Sequence, residues 1–351
     1  MYFKKNFKIG NKFVGEKHKC LIVAEISANH NNKFSTVKKL ISSAKKSGAD
    51  LIKIQTYTAN TMTIDVNQKD FRIKKKNPWN KEKNLWNLYK KAETSNDLTV
   101  KIFDYARSLG MEVFSSPFDT NAVDFLEKIN CPAYKIASAE INHIPLIERI
   151  AKTKKPIIIS LGLALNKDID LAIKILKKNK NDKLILLNCV SSYPAPLEEQ
   201  NLKSLLSIKK KYKSLVGFSD HTKGIIAPIS AVSLGAKVLE KHFNISNNKS
   251  VDSFFSTNEK DFKILIDSIR LAESTFGSGQ IKISKSSLKN FNSRRSIYVS
   301  KDINEGELIN RDNVKVVRPN YGLHPKYYNY IQKRKCKKNL KKGERFKLAY
   351  V

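Results

Sequence analysis

Residues 215–243 read Leu-Val-Gly-Phe-Ser-Asp-His-Thr-Lys-Gly-Ile-Ile-Ala-Pro-Ile-Ser-Ala-Val-Ser-Leu-Gly-Ala-Lys-Val-Leu-Glu-Lys-His-Phe. A short apolar run, Leu215–Phe218, gives way to a stretch of helical pattern and then to a second run, Lys237–Glu240. Both runs end on polar groups: Ser219 and His221 after the first, His242 after the second. A near-continuous apolar strand, a covering helix and another such strand describe one turn of a parallel sheet.

Six further runs of the same kind lie upstream: Leu21–Ile26, Leu51–Gln55, Glu112–Ser115, Ala133–Ala137, Pro156–Ser160 and Leu184–Cys189. Their starts are 21 to 31 residues apart except for one gap of 61. Eight βα units over about 250 residues predict a closed α/β barrel, the (β/α)8 or TIM barrel. The long gap holds an insertion, roughly 58–94, rich in Asn, Lys and aromatics, including Trp79 and Trp86. Following the second strand, it is expected to lie over the C-terminal mouth. After Gly277-Ser278-Gly279 the rhythm stops, and short strand-like pieces around Ser296–Ser300, Asp302–Glu307 and Val314–Pro319 take over. The expected organisation is a barrel over 1–280, a linker over 281–292 and a small, mostly β domain over 293–351.

The chain has 351 residues, with 66 Lys and Arg against 32 Asp and Glu, a formal net charge of +34. A hydrophobic fraction of 41% argues against disorder. No apolar stretch approaches the roughly 20 residues needed to span a bilayer, and the basic N-terminus lacks the apolar core of a signal peptide. The charge invites a nucleic-acid reading, but the lysines are mostly dispersed in pairs. One dense block, 333–342, carries seven basic residues in ten, without any accompanying zinc-finger, RNP or basic-zipper pattern. A solvated surface is therefore preferred, and nucleic-acid binding is kept only as a rival. Cys20, Cys131, Cys189 and Cys336 form no CxxC pair. They are expected to be reduced packing residues in a cytoplasmic protein.

Functional groups of such barrels project from the C-terminal ends of the strands. Here those ends carry Glu25; Lys53 and Gln55; Ser116; Lys135 and Ser138; Ser160; Ser191 and Tyr193; Ser219 and His221; and His242. Any single Ser after a strand is ordinarily a turn or cap residue, but stability does not require a polar group at all eight ends. Two lysines among hydroxyls suit a phosphate. His221 and His242, on adjacent strands, can share one divalent cation with positions left open, or either can be a structural histidine. Glu25 and Asp252 remain for a hydroxyl-rich ligand or proton transfer.

The segments Ala24-Glu-Ile-Ser-Ala-Asn-His30, Lys53-Ile-Gln-Thr-Tyr57, Phe114-Ser-Ser-Pro-Phe118, Tyr134-Lys-Ile-Ala-Ser138, Ser219-Asp-His-Thr222 and Glu240-Lys-His-Phe243 together resemble the sialic acid synthase family. The closing domain, with Arg318-Pro319, resembles that family's antifreeze-like (SAF) module. Tyr57-Thr58, Val251-Asp-Ser-Phe-Phe-Ser256 and Arg318-Pro-Asn-Tyr-Gly-Leu-His-Pro-Lys326 look more like the pseudaminate branch than the N-acetylneuraminate branch. Leu161 and Val190 stand where the family usually has Thr.

The resemblance implies a transferase that condenses phosphoenolpyruvate with a six-carbon diacetamido sugar and releases phosphate by C–O cleavage through a tetrahedral intermediate. It implies a divalent metal on His221 and His242, Mn²⁺ first, with Mg²⁺ or Co²⁺ as alternatives. It assigns Lys53, Ser116, Lys135, Ser138, Ser160, Ser191 and Ser219 to phosphoenolpyruvate. Gln55, Tyr193, Asp252 and Arg318 fall to the sugar, and Glu25 and Glu140 to catalysis. It further implies a domain-swapped homodimer in which Arg318 serves the other subunit. The rivals are a Schiff-base aldolase using Lys53 or Lys135, a sibling synthase making N-acetylneuraminate or legionaminate, and a basic nucleic-acid binder.

Overall fold

A computed structural model describes residues 2–351. The chain divides into two compact units, Met1–Phe276 and Gly277–Val351.

The first unit opens with an antiparallel hairpin, β1 (Asn6–Ile9) and β2 (Lys12–Gly15). Eight parallel strands follow: β3 (Leu21–Glu25), β4 (Leu51–Thr56), β5 (Glu112–Pro117), β6 (Tyr134–Ile136), β7 (Ile157–Ser160), β8 (Leu184–Cys189), β9 (Leu215–Asp220) and β10 (Val238–His242). They close as a barrel in sequence order, with β10 pairing back onto β3. Each lies within two residues of its expected limits. The one consequential shift is at the end: β10 runs on through His242, so that imidazole sits on a strand rather than on a loop.

Helices cover the outside because their sequences carry one apolar stripe. In the helix Phe34–Ser47, Val37, Leu40, Ile41 and Ala44 are buried, at i, i+3, i+4 and i+7 spacing. Gly48 ends it in the left-handed region at φ 95°, its amide bonded to the Ala44 and Lys45 carbonyls. Inside the barrel, Gly217 leaves room for its neighbours, since a Cβ there would lie 2.3 Å from the Val238 carbonyl oxygen.

The hairpin was not expected from the sequence. Phe7, Ile9 and Val14 join the barrel core, and Asn11 N–H donates to Glu112 Oε1 at 2.9 Å, at the start of β5. It therefore closes the end opposite the strand termini. The 58–94 insertion contributes the short helix Ala59–Met62 and the helix Leu85–Ala92. Trp79 in this insertion donates through Nε1 to the Val251 carbonyl at 3.1 Å, reaching the loop after β10.

The second unit has its own small core, including Ile297, Val314, Ile331, Leu340 and Phe346. Its strands β11 (Ser296–Val299) and β12 (Val314–Val317) pair antiparallel. In the 333–342 block all seven basic side chains are exposed, while Cys336 and Leu340 point into that core. All four cysteines are free and buried. No helix among the described residues is long and apolar enough to cross a membrane.

Candidate active site

Barrel register brings together side chains that are far apart in sequence. Glu25 pairs in register with Lys53 on one side and with His242 on the other. Gln55 is level with Ser116, and Ser219 with Glu240. Alternate residues face opposite ways. Glu240 and His242 thus share the interior face of β10, while Lys241 turns outward to an ion pair with Asp220.

Lys53, Gln55, Ser116, Lys135, Ser138, Glu140, Ser160, Ser191, Tyr193, Ser219, His221, His242 and Asp252 all line one cavity of about 390 Å³ at the C-terminal mouth. Glu25 is fully enclosed just behind the wall: its Oε2 lies 2.8 Å from Lys53 Nζ, and its Oε1 accepts from Gln55 at 3.3 Å. Arg318 is the one expected site residue carried by the second unit, where it follows β12.

The floor is ionic. Lys53 Nζ also approaches Glu240 Oε1 at 3.4 Å and donates to Ser116 Oγ at 3.3 Å. Lys135 has only Glu240, at 3.8 Å, and its own neighbour's carbonyl, Ile136 O, at 3.5 Å. The two ammonium groups therefore differ. Burial works against the charge of Lys53, yet Glu240 and Glu25 hold it above the ordinary lysine value. For Lys135, burial outweighs Glu240 and pulls the value down.

The carboxyls split likewise. Burial, aided by Glu240, raises Glu25 to about 7 against the pull of Lys53. Glu240 stays below its usual value because Lys135 and Lys53 overcome its burial. Glu140 is raised to about 7 by burial, and its Oε2 has no hydrogen-bond partner.

Ser160 Oγ is buried and likewise unpartnered. Beside it, the Gly162 amide donates to Ser138 Oγ at 3.0 Å. A Cβ at 162 would come within 2.5 Å of Ser191 Oγ, so a glycine is needed to keep these hydroxyls accessible. Substituting Leu161 and Val190 for Thr leaves this cluster intact. Their backbones bond elsewhere, Leu161 N–H to the Leu187 carbonyl and the Val190 carbonyl to His221.

The His221 and His242 rings lie 5.5 Å apart between centroids. His221 uses Nδ1 on the Val190 carbonyl at 2.8 Å, which leaves Nε2 as its free nitrogen. Although burial disfavours its charge, Cys189 and that carbonyl hold its pKa above the usual value. His242 is pushed well below its usual value by burial and by the neighbouring charges of His221 and Lys53. It stays neutral, and its buried Nδ1 has no partner. An uncommitted neutral imidazole beside a second one fits a divalent cation held by two nitrogens. No group of three or more His, Cys, Asp or Glu positioned for a metal exists among the described residues. Water or substrate would have to complete such a site.

Above the floor the walls are built by loops. Asp252 accepts from Ser27 Oγ and, at 3.4 Å, from the Ala28 amide. Tyr193 packs 4.4 Å from the His221 ring and 4.9 Å from Phe255. Trp79 lies 5.7 Å from Tyr193. Sequence reasoning missed Glu240, Ser27 and Gly162. The signal for Glu240 was available, since it sits two residues before His242 and therefore on the same strand face.

A second cavity of about 430 Å³, lined by Thr222, Lys223, Phe254, Asn258 and Ile264 among others, holds none of the ionisable strand-end groups. Its one buried cation, Lys241, is already paired with Asp220.

The NeuB family profile matches residues 40–281, and the SAF domain profile residues 294–348. Over 341 residues the chain is 44% identical to a pseudaminic acid synthase of Campylobacter jejuni, covering 97% of this chain and 98% of that one. An N,N'-diacetyllegionaminic acid synthase of the same strain is 37% identical over 331 residues, with 93% and 98% covered. Among solved structures, the N-acetylneuraminic acid synthetase of Leptospira borgpetersenii in complex with citrate superposes with a TM-score of 0.73 at 29% identity, covering 82% of this chain and 96% of that one.

Proposed function

This chain belongs to the NeuB family, and on that premise we propose that it condenses phosphoenolpyruvate with the open-chain form of 2,4-diacetamido-2,4,6-trideoxy-β-L-altropyranose, giving pseudaminic acid and phosphate. The observation that carries the reaction is the pair of buried lysines, Lys53 and Lys135, among serine hydroxyls beneath an imidazole pair. The sugar assignment is supported by the greater identity to the pseudaminate enzyme than to the legionaminate enzyme of the same strain.

Phosphoenolpyruvate brings several negative charges into this cavity. Lys53 and Lys135 meet that charge, and Ser116, Ser138, Ser160, Ser191 and Ser219 fix direction through their hydroxyls. A divalent cation, Mn²⁺ first, with Mg²⁺ or Co²⁺ as alternatives, is assigned to His221 and His242, where it would supply Lewis-acid polarisation of the aldehyde and of water. Gln55, Tyr193 and Asp252 orient the sugar's hydroxyl and amide groups.

Carbon 3 of phosphoenolpyruvate bonds to the aldehyde carbon, whose oxygen takes up a proton. Carbon 2, left electron-poor, accepts the oxygen of water, which loses a proton. The tetrahedral adduct then breaks its C–O bond to phosphate, and its hydroxyl becomes the ketone as its proton passes to the departing phosphate. One proton is taken up and one is released during addition, so one carboxyl titrating near neutrality can serve both steps. Glu140, raised to about 7, is assigned that role. Glu25 holds Lys53 and Gln55 in place from behind the wall.

The reading includes a cytoplasmic homodimer that exchanges its second units, with Arg318 of one copy serving the sugar in the other. Mixing an Arg318→Ala chain with a His221→Ala chain would then restore part of the activity that each homodimer lacks. The central test is phosphate release from phosphoenolpyruvate with a panel of candidate sugars, the products being identified by mass and NMR. Turnover of N-acetylmannosamine or the legionaminate precursor in preference to the altrose derivative would overturn the sugar assignment. No phosphate release with any sugar would overturn the reaction.

A further inference from the structure

The cavity has one wall unlike its floor. The helix Leu85–Ala92 presents Leu85, Leu88, Tyr89 and Ala92 to it, at i, i+3, i+4 and i+7 spacing. Such a stripe ordinarily faces a protein core; here Tyr89 and Ala92 pack with Tyr57 and Phe118, whereas Leu85 and Leu88 are left to the cavity. Leu85 and Leu88 are only half-buried. The helix is nevertheless firmly held. Asn84 caps it by accepting from the Asn87 amide at 2.9 Å, and Glu93 just beyond it accepts from the Ala59 amide at 2.9 Å. Tyr89 meets the buried Tyr57 edge-on at 6.0 Å. Met62 and Leu163 extend the apolar surface. No side chain of the Leu85–Ala92 stripe can pair with a hydroxyl or a charge except Tyr89 through its phenol.

We propose that this wall reads the apolar substituents of the sugar, with Leu85 and Leu88 selecting a 6-deoxy methyl and the methyl groups of acetamido substituents over hydroxyls. The inference rests on the proposed function, which supplies a sugar rich in such groups. A hydroxyl placed against these leucines would lose its water without gaining a partner. Selection for one methyl in an apolar pocket amounts to about 10- to 200-fold in kcat/KM.

The test compares wild type with Leu85→Ser and Leu88→Ser on the trideoxy sugar and on its 6-hydroxy counterpart. The preference is expected to fall by about 10-fold or more, through the KM for sugar, with the KM for phosphoenolpyruvate unchanged. Leu88→Met, which keeps an apolar contact, should retain the preference, and light scattering should show an unchanged oligomeric state. A preference that survives both serine variants overturns the proposal. So does a parallel rise in both KM values, or loss of assembly, because either marks the stripe as packing. Wild type inactive on the trideoxy sugar overturns the functional reading and this inference with it, whereas an active wild type with unaltered preference in the variants overturns the wall alone.

Discussion

Lys53 Nζ lies 2.8 Å from Glu25 Oε2, so this cation has a buried partner before any ligand binds. Lys135, whose one carboxylate neighbour is Glu240 at 3.8 Å, has no such close partner. The distinction separates the two lysines that composition alone treats as equivalent. Lys53 is part of a prebuilt ionic floor, and Lys135 is the charge that an anionic ligand would satisfy.

Replacing Lys135 by Met should therefore raise the KM for phosphoenolpyruvate by about 100-fold or more, the loss of a desolvated charge pair. Melting temperature should hold or rise, because an undercompensated buried ammonium is removed while Glu240 keeps Lys53. The depressed Lys135 value also sets a sign. This lysine loses its proton at lower pH than an ordinary lysine, so the KM should climb early on the alkaline side. Lys135→Arg, always charged, should abolish that climb. Steady-state kinetics across pH checks both.

Glu140 should show opposed effects on activity and stability. Its carboxyl is raised from 4.5 to about 7, so the folded state holds the proton more tightly than the unfolded chain. Stability is then lost as pH rises between those values, and the deficit is complete above about 7. Glu140→Gln should stabilise the protein by about 1–3 kcal/mol at pH 8 and flatten this pH dependence. It should also lower kcat by about 100-fold or more. Denaturant titration at pH 5 and pH 8, with kcat, decides it. Stability equal to wild type at both values would refute the burial argument.

With two imidazoles as the protein's share, a cation should bind weakly to the free enzyme and more tightly once phosphoenolpyruvate or sugar completes its shell. Exhaustive chelation should abolish turnover, and added Mn²⁺ should restore it. His221→Ala or His242→Ala should lose Mn²⁺ binding in calorimetry while keeping the wild-type circular dichroism. Full activity of either variant under chelation would remove the metal from the site.

Asn29 is fully buried and spans the turn after β3 and the loop after β10. Its Nδ2 donates to the Phe243 carbonyl and to Ser256 Oγ, both at 2.9 Å, while its Oδ1 accepts from Ser250 Oγ. That loop carries Asp252 and Phe255. Asn29→Ala should raise the KM for sugar about 10-fold, with little change for phosphoenolpyruvate, a split that general destabilisation would not produce. Equal increases in both would refute a positioning role.

Much of the fold was legible because its signals are local. Leu184–Cys189 is a strand for reasons contained in those six residues, and β8 begins and ends there. The hairpin had a readable signal too, alternating apolar residues around Gly10-Asn11, and Gly10 does adopt a positive φ of 57°. Its short length and basic setting concealed it. Glu240 carried a readable signal as well, two residues before His242, but the expected run stopped at Glu240, while β10 continues through His242 and puts both on one face.

The sequence by itself determined the number and order of the barrel strands and which ends carry lysines, serines and histidines, because period and composition act within a few residues. Only the tertiary structure decided which of those groups carry free charge. It paired Lys53 with Glu25 and left Lys135 loosely held; it left the buried Oε2 of Glu140 without a partner and turned Leu85 and Leu88 toward the cavity. The physical reason is that charge, desolvation and shape depend on distances across the barrel, between residues that the chain places tens to hundreds of positions apart.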